Sequence, residues 1–102
     1  MGEERIASRY AIPVPVTFLL QNGDRVRLFT QDVSAGGLFV RVDKSLRLDN
    51  DLRFLITFPR EITTSCKLVA LCNGVVTRRE ATEDSEGLAI KIQRYQFLNS
   101  VD

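Results

Sequence analysis

The chain has 102 residues, 44% of them hydrophobic, and a formal net charge of +1. That is one domain with one modest core, and too little positive charge for a general polyanion binder. With no histidine it has neither the commonest general base nor the commonest metal ligand, which removes any Ser-His or Cys-His catalytic arrangement. The fourteen cations comprise eleven arginines and three lysines, a bias toward planar donor forks that suit phosphates and purines. Cys66 and Cys72 lie six apart in a segment that reads as strand, which would hold their Cα atoms ~20 Å apart, beyond disulfide reach. They are read as reduced, buried small hydrophobes. No apolar run reaches the ~18–20 residues of a membrane span and the charged start is no signal peptide, so a cytoplasmic protein is expected.

Elements then follow as strand after strand. Residues 1–13 are expected to be a loosely held leader. Val14–Leu20 is β-branched and aromatic, and Gln21-Asn22-Gly23-Asp24 reads as a hairpin turn. Arg25–Gln31 alternates, with Val26, Leu28 and Thr30 opposite Arg25, Arg27 and Phe29. After a loop over Asp32–Gly36, a third strand turns Leu38, Val40 and Val42 to one face and Phe39 and Arg41 to the other. Leu52–Phe58 is a fourth strand, ended by Pro59. Ser65–Glu80 admits two readings: a hairpin closed at Asn73-Gly74, or one long strand kinked at Gly74. The second is favoured because it leaves six strands, an even number that closes neatly. Gly87–Gln93 is the last strand, and residues 95–102 form a tail or a short helix. The expected fold is a six-stranded antiparallel barrel over residues 14–94.

Two features carry chemistry. Arg5 and Arg9 are the only arginines four apart, and Asp32-Val33-Ser34-Ala35-Gly36-Gly37 is a polar loop between hydrophobic strands. Taken alone, the first is a solvated tail and the second a turn whose Asp and Ser bond their own backbone. Their chemistry is nevertheless complementary. An ionised Asp32 accepts the N1–H and N2–H donors of guanine, Ser34 donates to a phosphate, and Gly37 leaves the backbone open. Arg5 and Arg9 fork onto phosphates or guanine O6/N7. Arg78 and Arg79 end the long strand, and only one of these neighbours can face the same site.

An Arg-x-x-x-Arg pair followed by Asp-x-Ser-x-x-Gly resembles the signature of PilZ domains. Leu38-Phe39-Val40, Gly74-Val75-Val76 and Gly87-Leu88-Ala89-Ile90 resemble that family's later strands, so the resemblance covers nearly the whole chain. Asp43-Lys44-Ser45 begins the loop motif again and fails, since Leu48 stands where glycine is required. The resemblance implies a barrel with a C-terminal helix that receives cyclic di-GMP. Arg5 and Arg9 would wrap over the ligand against Asp32, Ser34 and Gly37, with Arg78 or Arg79 auxiliary. With no histidine and no clustered carboxylate pair, no catalytic residue, metal or cofactor is expected, and the resemblance implies signalling to a protein partner or fused effector domain in motility, biofilm, exopolysaccharide or transcription control. Ordering five leader residues costs ~5–10 kcal/mol of backbone entropy, and each charge-assisted hydrogen bond returns ~1.5–3 kcal/mol. Only a ligand with several such contacts closes the leader. In the family an extra arginine just before the first motif arginine favours an intercalated ligand pair. Here that position is Glu4, preceded by Glu3, so one ligand is expected. The rival reading is a PilZ-like interaction module of the type IV pilus kind without nucleotide. An RNA-binding barrel would need exposed aromatics interleaved with basic residues, and the phenylalanines here are scattered.

Overall fold

Among the described residues, alternation of apolar and polar residues builds seven antiparallel strands, in the sheet order β2-β1-β5-β6-β7-β4-β3. These are β1 Pro15–Leu19, β2 Arg25–Phe29, β3 Asp32–Ser34, β4 Gly37–Asp43, β5 Asp51–Phe58, β6 Leu68–Ala81 and β7 Ser85–Phe97. The computed structural model describes residues 11–34, 36–59 and 67–98. Val16 and Phe18 of β1, Leu38, Val40 and Val42 of β4, and Leu52, Phe54 and Ile56 of β5 point inward and are buried. Phe18 and Phe54 meet at a centroid distance of 5.4 Å in the middle of this core. Leu88 and Ile90 from β7 complete it.

The first hairpin is as expected. Gly23 turns with φ 94°, a conformation that costs glycine little, and the Leu20 amide donates to the Asp24 carbonyl at 2.9 Å. The segment after β2 departs from expectation. Asp32–Ser34 forms a strand rather than a loop, with Asp32 opposite Phe39, Val33 opposite Leu38 and Ser34 opposite Gly37. Val33 is wholly buried, so this short strand is held by its single apolar residue. Among the described residues the count is therefore seven strands, not six. In a fully antiparallel sheet of seven, the two end strands β2 and β3 run the same way, and only Thr30 and Gln31 separate them. The Thr30 amide donates to Val14 at 3.0 Å and the Gln31 amide to Phe39 at 2.8 Å. One chain crossing thus joins the two ends of a curled, barrel-like sheet.

β6 is the long kinked strand rather than a hairpin, with register irregularities at Asn73/Gly74 and Val76/Arg78. Its expected first residues, Ser65 and Cys66, lie outside the described residues. A Cβ on Gly74 would stand 2.9 Å from both the Ile90 side chain and the Lys91 carbonyl, so the kink requires glycine.

The C-terminal expectation needs correction. Tyr95–Phe97 belong to β7, not to a helix: Tyr95 pairs with Cys72, Gln96 with Leu71 and Phe97 with Ala70. Leu98 then donates to the Val69 carbonyl at 2.9 Å. Opposite Asn73/Gly74, Gln93 is an extra residue, and it shifts the alternation by one. Leu88, Ile90 and Ile92 share the core-side phase before it; after it Tyr95 and Phe97 take that phase opposite Cys72 and Ala70 but stay exposed, at 59% and 50%.

Candidate functional site

The pairing places one row of residues across four strands. Asp32 of β3 is opposite Phe39 of β4, Phe39 is opposite Ala89 of β7, and Ala89 is opposite Arg78 of β6. Phe39 and Ala89 alternate with core residues, Asp32 precedes the buried Val33, and Arg78 pairs with Ala89, so the row lies on the outer face. Three interstrand steps of ~4.8 Å set Asp32 and Arg78 roughly 14 Å apart. Between them the surface is low, because Ala89 and Gly87 have little or no side chain. A depression of about 530 Å³ results, lined by Gln31, Asp32, Phe39, Arg78, Glu80 and Ala89.

Phe39 is the centre of this face. Its ring lies on Gly87, where an added Cβ would come within 2.5 Å of it. The Arg41 guanidinium stands 5.7 Å from the ring centroid and that of Arg78 stands 6.0 Å from it. Both are within the range of cation–π attraction. Arg41 is steadied by a 3.4 Å hydrogen bond to Ser85, and Arg78 by a 2.8 Å contact with Glu80. The face therefore offers an aromatic ring, two cations and the Asp32 carboxylate at the far end of the row.

Arg78 and Arg79 are separated as strand geometry requires. Arg79 turns away and is tied to the connection between β4 and β5, donating to the Leu48 carbonyl at 3.0 Å and to Asn50 at 2.8 Å. It also meets Glu86 at 3.3 Å. Arg79 is a brace; Arg78 lines the depression.

Ser34 is buried and its hydroxyl accepts a hydrogen bond from the Gly36 amide at 3.3 Å. Gly37 has a structural reason of its own, since an added Cβ would stand 2.6 Å from the Ile90 carbonyl oxygen. Arg5 and Arg9 lie outside the described residues. The chain just after them is anchored beside the site. The Val14 amide donates to the Thr30 hydroxyl at 3.0 Å, and that hydroxyl donates to the Ile12 carbonyl at 3.3 Å. Thr30 is two residues from Asp32.

The near-copy of the loop motif behaves as a plain turn. The Asp43 carboxylate accepts from the Ser45 amide and the Ser45 hydroxyl, both at 2.9 Å. These bonds hold its pKa below the ordinary value. Leu48, where the motif needs glycine, is buried in the core. Cys72 is a free thiol in the core whose pKa burial pushes up to about 11, which leaves it unreactive. Among the described residues no group of carboxylates and thiols could hold a metal, and no helix is long and apolar enough to cross a membrane.

Phe39, Arg41, Gln31 and Glu80 are not among the site residues expected from the sequence. The available signal was the outward phase of Phe39 and Arg41 within an alternating strand that begins at the motif glycine.

No curated protein sequence matches this one. Among solved structures, the Bacillus subtilis inhibitor of motility MotI/DgrA superposes with a TM-score of 0.73 at 19% identity, over 92% of this chain and 44% of that one. The present chain thus spans less than half of that protein, and the likeness is one of fold. The family model for the PilZ domain matches residues 3–99, nearly from end to end, and the chain belongs to that family.

Proposed function

We propose that this PilZ domain is a cyclic di-GMP receptor whose ligand lies on the outer face of β3, β4 and β7. The observation that carries the reading is the row Asp32–Phe39–Ala89–Arg78, with the leader anchored to Thr30 beside its Asp32 end. PilZ domains are a cyclic di-GMP-binding family and serve as binding and regulatory modules rather than enzymes. In this reading Asp32 accepts the donor edge of one guanine and Ser34 donates to the ligand. Arg5 and Arg9 close over the phosphates, and Arg78 supplies a cation from the barrel side. Phe39, already flanked by two guanidiniums, offers its ring to a purine face. Residues 1–13 order when the ligand binds, and the ordered leader is the surface presented to a partner or fused effector in the cytoplasm.

Calorimetric titration with cyclic di-GMP, beside GTP and cyclic di-AMP, tests this. Saturable binding of cyclic di-GMP alone is expected. It should be lost in Arg5→Ala and Arg9→Ala while the melting temperature without ligand stays unchanged. No binding by the wild-type chain would replace this reading with that of an interaction module without nucleotide.

A further inference from the structure

The long strands β6 and β7 each outrun one of their neighbours. β5 pairs with β6 only as far as Val75, and β4 pairs with β7 only as far as Lys91. One further bond joins the Ile92 amide to the Gly36 carbonyl at 2.9 Å. The two overhangs are not alike. That of β6 carries Arg78, Arg79 and Glu80, and Arg79 ties it to the Leu48 carbonyl and Asn50. Charges and a covering connection are the usual protection of a strand edge. That of β7 is residues 93–98, where Arg94 is the one charge. Tyr95, Phe97 and Leu98 in it are each at least half exposed.

The ladder fixes which backbone groups of this overhang are open. Alternate residues of an antiparallel strand turn their N–H and C=O to opposite sides, and the Leu98 amide donates to the Val69 carbonyl. Arg94, Gln96 and Leu98 therefore direct these groups to β6, and Tyr95 and Phe97 direct theirs to the uncovered edge. Among the described residues no backbone group pairs with that edge. The Tyr95 and Phe97 rings meet at 5.4 Å and 65°. With Phe58, Ala70, Cys72 and Ile92 they line an apolar hollow of about 80 Å³. An apolar edge with open donors and acceptors is a template for another strand.

Self-complementarity narrows the choice of occupant. Open groups on two residues separated by one are matched by an identical strand running antiparallel about a two-fold axis through the residue between them. We propose that the end of β7 pairs with the same segment of a second copy of this chain, about an axis through Gln96. Tyr95 then faces Phe97 of the second copy and Phe97 its Tyr95, which uses every open group of both residues and places aromatic rings across the seam. Arg94 falls opposite Leu98, so no like charges are opposed. An axis through Tyr95 would instead set Phe97 against the bulged Gln93. The pairing spans only residues 94–98, so it is independent of the curl of the sheet and of the nucleotide reading. Three large side chains, each about half exposed, bring roughly 100 Å² apiece, well under the ~800 Å² per partner of a stable interface. The dimer is therefore weak and concentration-dependent.

Sedimentation equilibrium of the full chain without ligand, from about 10 μM to about 1 mM, tests this. The expected result is a monomer–dimer equilibrium with its dissociation constant inside that range. Tyr95→Pro removes an N–H that serves only the open edge and leaves the bonds to β6 in place. With the dispersed amide spectrum of a folded chain, it should weaken association about tenfold or more. Gln96→Lys and Gln96→Glu each oppose like charges across the axis and should associate about fivefold or more weakly than wild type. Mixed in equal amounts, the two should associate at least as tightly as wild type. A wild-type chain that stays monomeric to about 1 mM overturns the proposal, even where an added β-strand peptide shifts the Tyr95 and Phe97 amides. Growth beyond the dimer, unchanged association of folded Tyr95→Pro, or a mixture no tighter than its two components overturns it equally.

Discussion

Thr30 and Gln31 are neighbours in the chain, yet their amides bond to opposite ends of the sheet. Thr30 reaches Val14 beside β1, and Gln31 reaches Phe39 in β4. The crossing is stabilised by the Thr30 hydroxyl, which is 3% exposed and bridges the Val14 amide and the Ile12 carbonyl. Thr30→Val keeps the shape and removes the bridge, leaving a buried amide without its acceptor. A loss of about 1–3 kcal/mol is expected in urea unfolding. Because the same hydroxyl fixes the end of the leader, cyclic di-GMP affinity should fall as well, under conditions where the variant is fully folded. Unchanged affinity in the folded variant would show that the leader does not need this anchor.

The two adjacent arginines of β6 should separate cleanly. Arg79→Ala removes donors to the Leu48 carbonyl and Asn50, and should cost about 1 kcal/mol of stability while ligand affinity is retained. Arg78→Ala removes an exposed side chain from the depression and should lower affinity at nearly constant melting temperature. Melting curves and calorimetry on both variants decide this, and the reverse pattern would exchange their roles.

Two neighbouring glycines make a third contrast. At Gly37 a Cβ would meet the Ile90 carbonyl oxygen at 2.6 Å, and that contact is backbone against backbone. Gly37→Ala should therefore cost about 2 kcal/mol or more, from strain that the β4–β7 pairing cannot relieve. At Gly36 nothing lies within 4 Å of such a Cβ, so Gly36→Ala should fall within about 0.5 kcal/mol of wild type. Thermal melting without ligand distinguishes them.

Where alternation is unbroken, the strands were legible: Leu38, Val40 and Val42 inward, with Phe39 and Arg41 outward, follows from period two alone. Legibility failed where phase or composition was disturbed. In β7 the extra residue Gln93 moves the core-side phase from even to odd positions, so Tyr95 and Phe97, both largely exposed, do not continue the pattern of Leu88, Ile90 and Ile92. In β3 a single valine between Asp32 and Ser34 leaves no alternation to detect, and turn-forming residues also serve as a strand. The motif residues Asp32, Ser34 and Gly37 stood out because of their spacing. Arg41 follows Phe39 by two on the same strand and shares its outward phase, whereas Arg78 reaches the ring only through pairing across β4, β7 and β6, which no local pattern contains.

The last prediction concerns the number of ligands. An intercalated pair of cyclic di-GMP brings four phosphate charges to a face where Glu4 precedes Arg5. The cation that would offset the added charge from the barrel side is Arg78, and it is already engaged by Glu80 at 2.8 Å. A carboxylate about 5 Å from a phosphate costs on the order of 3 kcal/mol at an effective dielectric near 20. Water and salt reduce this to about 1 kcal/mol for a surface charge pair. That residue is enough to decide between close alternatives, so one ligand per chain is expected. Glu80→Gln frees Arg78 while keeping a hydrogen-bonding side chain, and Glu4→Arg replaces repulsion with attraction. Each should tighten binding several-fold, and the two together should move the stoichiometry toward two. Calorimetry supplies both the affinity and the ratio. A ratio of two in the wild-type chain would mean that Arg78 also offsets the charge of a second ligand despite Glu80, and Arg78→Ala should then return it to one.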